Sequence, residues 1–317
     1  MTLNRILSAP RLTGGAAIAC FTLALWDAEG GFSLLGWALT PLVWLLAWAC
    51  VVGLSRSPAD GPAEARALRI AAAMVFGLTL LALWQLITVG AEVPKVLLPP
   101  PSMIGARIAS SLPILGADFV QTFLRAALFG YVVGCGAAVL CALAIDRSPF
   151  LQRGLLPVGN LVAALPIIGV APIMVMWFGF DWQSKAAVVI IMVFFPMLVN
   201  AVEGLKAASV MQRDLMQTYA ASYWQTLFKL RVPAAAPFLF NGLKICSTLA
   251  LIGAIVAEFF GTPTVGMGFR ISTEVGRMNV DMVWAEIAVA ALAGSTFYGL
   301  VSLAERMVTF WHPSQRG

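Results

Sequence analysis

Few side chains in this sequence combine a type and a spacing that support covalent chemistry. The single histidine, His312, stands beside Pro313, and no Ser/His/acid or metal-ligand set can be assembled around it. No G-x-x-x-x-G-K-[ST] run occurs, so the chain is not an ATPase by that motif. Cys20, Cys50, Cys135, Cys141 and Cys246 all fall inside apolar runs, without metal-type spacing, and read as small buried hydrophobes. The chemistry that remains is recognition. Trp224, Leu227 and Phe228 recur at i, i+3, i+4 spacing opposite Gln225, Lys229 and the nearby Arg231, which describes a short amphipathic helix. Arg213 and Asp214 are expected to open an earlier helical turn, with a carboxylate near the positive helix end. Pro233 and Pro237 are expected to stop the run and restart the chain into the next apolar segment. An amphipathic hairpin of this kind has two uses. It lies among lipid headgroups, or it presents apolar anchors to the groove of a soluble partner.

The elements that must hold this hairpin are apolar. Of 317 residues, 60% are hydrophobic and 11% charged, against roughly a quarter charged in an average soluble domain. A water-soluble fold is therefore excluded, and continuous rather than alternating apolar runs exclude a strand barrel. The fold class is all-α: a polytopic membrane protein with apolar spans at 12–27, 33–55, 67–90, 118–145, 155–180, 185–204, 236–260 and 282–305, each compared with the ~20 residues that cross a bilayer. The first is the shortest and has the size of a signal-peptide core, yet a second apolar run follows almost at once, so it reads as an anchor. With the N-terminus inside, Arg5, Arg11, Arg56, Arg66, Arg69, Arg147, Arg153, Lys206, Arg213, Lys229, Arg231, Arg306 and Arg316 gather on the cytoplasmic side. Lys95, Arg107, Arg125, Lys185, Arg270 and Arg277 fall on the other. That asymmetry places both termini in the cytoplasm. The net charge of +5 is thereby a topology signal, since no basic stripe interleaved with aromatics points to nucleic acid.

The polar stretch 55–66 separates a two-helix appendage, 1–62, from a body of six helices, 63–317, whose longest cytoplasmic connection is the loop 205–235. Four prolines in 93–102, three of them consecutive, call for an extended connection on the outer side, followed by an interfacial segment over 103–115. Pro157, Pro166 and Pro172 punctuate one span and Pro196 the next. Membrane helices broken in this way often line cavities, so Pro166, Pro172 and Met176 are pathway candidates. Asn200, near a cytoplasmic end with Glu203, and Glu258, at the outer end of its span, complete that set, although a capping or interface-facing role serves each equally well. Lys244 can snorkel to the cytoplasmic surface. Gly130, Gly134 and Gly136 form a small-residue face suited to close helix packing.

The hairpin also resembles the cytoplasmic signature of binding-protein-dependent ABC importer permeases: EAA, three residues, Gly, then about nine residues to a hydrophobic-x-Leu-Pro end. Asp214 stands where that family has Glu, Leu215 and Met216 replace the alanines, Ala220 replaces the glycine, and Leu230, Val232 and Pro233 form the end. LVAALPIIGVAPIMVMWFGFDWQSK, VFFPMLVNAVEGLK, NGLKI, AEFFGTPTVGMGFRI and LPPPSMI are similar, in order, to segments of the sulfonate, nitrate and taurine branch. Coverage runs from about residue 67 to the end.

The resemblance implies the transmembrane permease subunit of an ATP-driven importer in the bacterial inner membrane, a homodimer embedded in lipid. Its partners would be a dimer of ABC ATPase subunits and an extracytoplasmic solute-binding protein. The solute would be small, organic or anionic. This chain would carry no cofactor, ATP and Mg belonging to the ATPase. The coupling residues would be Asp214, Ala220, Tyr223, Trp224, Gln225, Phe228, Lys229, Arg231 and Pro233. A stand-alone secondary transporter is the competing reading, but it calls for central intramembrane acids and a repeat, neither of which is visible. A membrane scaffold or sensor is the third.

Overall fold

Apolar runs bounded by Ser, Asp, Gly and Pro dictate where helices begin and end, and the computed structural model follows that punctuation. It describes residues 3–28, 31–59, 61–148, 150, 151, 154, 166–261 and 264–311, in which all regular structure is helical. Six of these helices are long and apolar enough to cross a membrane, and two shorter apolar helices accompany them. The described residues form two compact units, Met1–Ser110 with Met278–Ala285, and Ser111–Arg277 with Glu286–Gly317.

In the first unit α1 (Leu3–Asp27) and α2 (Leu34–Arg56) form a hairpin, with α3 (Pro62–Gly90) packed beside them and α4 (Pro101–Ser110) following the proline stretch. The Asp27 carboxylate accepts from the backbone N–H of Ser33 at 3.0 Å and of Gly36 at 2.9 Å, satisfying donors that the start of α2 leaves open. Phe32 N–H donates to the Gly90 carbonyl at 2.7 Å, which ties the hairpin to α3. At the remaining end of the unit, Arg107 pairs with Asp281 at 2.7 Å.

The second unit is built on α5 (Leu112–Arg147), α7 (Trp182–Lys206) and α9 (Tyr223–Glu258). Around these lie α6 (Ile167–Phe178), α8 (Val210–Thr218), α10 (Met267–Gly276) and α11 (Val280–Val308), whose first turns belong to the other unit. α7 is the central helix, packed on both α5 and α9. Gly130 and Gly134 make the α5 contact possible: a Cβ at Gly130 would stand 2.8 Å from the Ala186 carbonyl oxygen, and one at Gly134 3.0 Å from that of Ile190. Gly136, expected on the same face, has open space beside it.

The structure alters four expectations. The run 155–180 is not one span in the described residues: α6 has 12 residues and begins after Pro166, whose ψ of 116° is extended. Pro166 therefore starts a helix instead of kinking one, while Pro157 and the rest of 155–165 lie outside the described residues. Pro233 and Pro237 do not interrupt α9. The turn Leu227–Arg231 is π-helical, with Val232 N–H donating to the Leu227 carbonyl, and a widened turn relieves the clash that a proline ring makes with the preceding turn. α8 opens at Val210, not at Arg213 and Asp214, because Ser209 and Gln212 form a reciprocal capping box. Lys244 pairs with Glu305 at 2.7 Å instead of reaching for the surface.

Between α8 and α9 the chain makes a Schellman turn. Ala221 N–H donates to the Met216 carbonyl at 2.9 Å and Ala220 N–H to that of Gln217 at 2.8 Å. Ala220 sits at φ +50°, the left-handed conformation that this motif reserves for glycine. Ser222 and Gln225 then cap α9 reciprocally. Ala220→Gly should accordingly stabilise the hairpin by about 1 kcal/mol, seen as slower hydrogen exchange of the backbone amides at positions 220 and 221. Gly130→Ala should destabilise the second unit by ~1–3 kcal/mol through overpacking against backbone, whereas Gly136→Ala should be neutral, both read from thermal aggregation in detergent.

Candidate functional site

The hairpin sorts its residues by direction. Trp224 and Phe228 stack with ring centroids 5.9 Å apart and remain 52% and 64% exposed. Met211, Leu215 and Tyr219 on the α8 side add further exposed apolar surface. Asp214 and Lys229 are exposed around this knob. Leu227, buried, anchors it to the core. Gln225 serves the cap and Ala220 the turn, while Pro233 is half-buried inside α9.

Tyr223 and Arg231 point the other way. The Tyr223 hydroxyl donates to Asp146 Oδ2 at 2.8 Å. Arg231 donates to the same carboxylate through both terminal nitrogens, at 2.7 and 2.5 Å, and through Nε to the Leu205 carbonyl at 3.0 Å. The Leu205 oxygen is one of the carbonyls that the end of α7 leaves without a helical partner. The Arg147 guanidinium lies over the Tyr223 ring at 4.6 Å and the Trp224 ring at 4.9 Å, a cation–π contact that holds the knob against the end of α5. Of the nine hairpin residues singled out by sequence, six are exposed, while Tyr223 and Arg231 face inward and Pro233 is half-buried.

The pathway candidates do not converge. Pro166, Pro172 and Met176 lie exposed on α6. Asn200, on α7, accepts a hydrogen bond from Asn241 at 3.1 Å. Glu258 is 2% exposed at the opposite end of the unit from the hairpin, in a cluster that sequence reasoning left unassembled. There Thr122 donates to Glu258 Oε1 at 2.8 Å, Gly268 N–H donates to Oε2 at 2.7 Å, and Met267 N–H donates to the Thr122 hydroxyl at 2.8 Å. Gly266 N–H donates to Asp118 Oδ1 at 2.6 Å, and Arg270 pairs with Asp118 at 2.8 Å. Two carboxylates and a hydroxyl thus satisfy the N–H groups opening α10, where negative charge is favoured. The bond to Asp118 raises the Arg270 guanidinium still further above its ordinary value. Fully buried Glu286 and Lys185 complete the cluster, each with charged neighbours within it.

Nearby, Asp181 caps α7. The Trp182 N–H first, then the Gln121 amide, hold its carboxyl below the usual range. A cavity of about 620 Å³, lined in part by Gln121, Arg125 and Asp181, opens at this end. The arrangement offers an exposed aromatic knob at one end and a buried polar clamp at the other, with no nucleophile poised beside a base among the described residues.

The chain is similar to permease subunits of several transport systems. The riboflavin transport system permease protein RibX of Chloroflexus aurantiacus is 30% identical over 237 residues, 74% of this chain and 88% of that protein. The formylaminopyrimidine transport permease protein ThiX of Halalkalibacterium halodurans is 28% identical over 241 residues, 76% of this chain and 96% of its own length. The taurine transport system permease protein TauC of Escherichia coli is 28% identical over 240 residues, covering 74% and 86%. All are permease subunits, which favours transport over the scaffold reading and over catalysis by this chain. Residues 130–313 match the family described as binding-protein-dependent transport system inner membrane component. The chain belongs to that family.

Proposed function

We propose that this chain forms, as a homodimer, the translocation pathway of an ATP-driven importer, and that its hairpin Ser209–Pro233 is where each copy seats in one subunit of an ABC ATPase dimer. The single observation that carries the docking assignment is the stacked, exposed Trp224–Phe228 pair, held rigid from behind by Arg147, Tyr223 and Leu227. A pre-ordered aromatic anchor ringed by polar groups is what a partner's groove receives with little loss of entropy. Asp214 and Lys229 form part of the polar rim, Gln225 and Ala220 fix the turn, and Pro233 leads into the span. On this reading both termini are cytoplasmic, as the distribution of Lys and Arg favours. Residues 63–317 make the permease domain and 1–62 a membrane appendage. ATP and Mg would act in the partner, and a binding protein would deliver a small organic or anionic solute from outside. The printed names of the relatives span a flavin, a pyrimidine and an amino sulfonate at nearly equal identity, which favours no single solute.

Trp224→Ala combined with Phe228→Ala should weaken copurification of the ATPase by at least ~30-fold, the scale of losing a hot spot worth 2 kcal/mol or more. Insertion into the membrane, read by protease protection and fractionation, should be unchanged. An ATPase complex formed by the double variant as by the parent chain would refute the docking assignment.

A further inference from the structure

At the hairpin end of α5, one carboxylate collects three donors. Asp146 accepts the Tyr223 hydroxyl at 2.8 Å and both terminal nitrogens of Arg231 at 2.7 and 2.5 Å. The side chains of the pair are only 13% and 15% exposed, so the contact is shielded from the solvent screening that makes surface pairs negligible. Its geometry is bidentate, the arrangement that fixes orientation as well as distance. The third Arg231 contact, Nε to the Leu205 carbonyl, joins the end of α7 to the same fork. One guanidinium therefore locks the start of α9 to two other helices, a task the single ammonium of a lysine cannot perform.

α5 itself then runs unbroken for 36 residues. Near its other end it carries Asp118 and Thr122, the side chains that hold the start of α10 through Gly266, Met267 and Arg270. The same rigid rod thus ends in the hairpin lock and in the α10 clamp. Coupling between distant sites requires a contiguous element that both can bias; α9 carries the hairpin itself and ends at Glu258, and α5 is a second helix whose side chains bond to both features.

We infer that Asp146 is the positioning residue through which the docking hairpin moves α5: it contacts neither ATPase nor solute, and it transmits displacement of the Trp224–Phe228 knob to the clamp at α10. This rests on the proposed docking role, and it assigns Arg231 an inward, transmitting part instead of a place on the docking surface. Docking affinity and transmission should then separate experimentally.

The test uses the full chain assembled with its ATPase in liposomes. A cysteine introduced on α10, Val275→Cys, is labelled with a membrane-impermeant maleimide, with and without ATP plus vanadate, while copurification reports docking. The parent complex should change its labelling rate on adding nucleotide. Asp146→Asn and Arg231→Gln should each keep the ATPase bound yet reduce that change by about fivefold or more, the lower end of usual coupling energies. The double variant should be no worse than either single one, because the two side chains act as one unit. Tyr223→Phe, which deletes only a hydroxyl and does not threaten folding, should give a smaller loss in the same direction.

Transmission through Asp146 is overturned if Asp146→Asn or Tyr223→Phe responds to nucleotide as the parent does, if the double variant shows the product of the single losses, or if the parent binds ATPase with no change at position 275. Failure of the parent chain to bind ATPase at all would instead overturn the docking assignment.

Discussion

Hydrocarbon offers no hydrogen bonds, and that constraint organises the whole molecule. Each backbone N–H and C=O within the apolar segments must be satisfied by the chain itself, so the described residues are helical and each helix end needs a partner. Asp27 serves the start of α2, Ser209 and Ser222 serve the two arms of the hairpin, and Asp181 serves α7. Lipid also removes the hydrophobic drive between helices, leaving close packing as the source of cohesion. Gly130 and Gly134 allow α5 to approach the α7 backbone to contact distance, and Gly242 and Gly253 of α9 make room for the Met197, Asn200 and Met192 side chains of α7.

The same constraint explains why the polar side chains gather in clusters. An isolated ionised group in the membrane costs several kcal/mol, and breaking a buried pair leaves its partner uncompensated. Asp146 with Arg231, Asp118 with Arg270 and Lys244 with Glu305 are each bonded within 2.8 Å. They contribute little net stability compared with apolar packing of equal volume. Their retention is better explained by specificity: each joins helices distant in sequence at one fixed angle.

Local features were legible in the sequence and long-range ones were not. The apolar runs mark the rough limits of the six long spans, because a 20-residue stretch of high hydropathy is written in consecutive residues. Trp224 and Phe228 could be paired because i, i+4 neighbours meet on any helix. The beginning of α8 was equally open to local reasoning, since Ser209 with Gln212 is a capping box. By contrast, Arg231 lies 85 residues from Asp146, and Arg270 lies 152 from Asp118. No periodicity connects such positions. Glu258 could be singled out as an anomalous acid, yet its partners Thr122 and Gly268, which bury it against α10, could not. The break at Pro166 depends on where the chain turns in three dimensions, which a proline permits without requiring.

The direction of Arg231 shows how a widened turn separates residues that a regular helical period would bring to one face. In a regular helix, residues seven apart return to nearly the same face, because 3.6 residues complete a turn. Trp224 and Arg231 would then project together, and the arginine would join the exposed rim. In α9 the intervening turn Leu227–Arg231 is π-helical, holding more residues per turn and so rotating everything beyond it relative to everything before. Trp224 and Phe228 precede or enter that turn and stay exposed, whereas Arg231 ends it and swings toward Asp146 and the Leu205 carbonyl. The other π-helical stretch, Val120–Leu128 in α5, contains Thr122, whose hydroxyl must reach both Glu258 and the start of α10. Widened turns thus stand at both ends of the α5 rod, where a side chain must leave the regular helical face to bond a neighbouring element. A strict 3.6-residue period would supply the helices but leave both joints unmade.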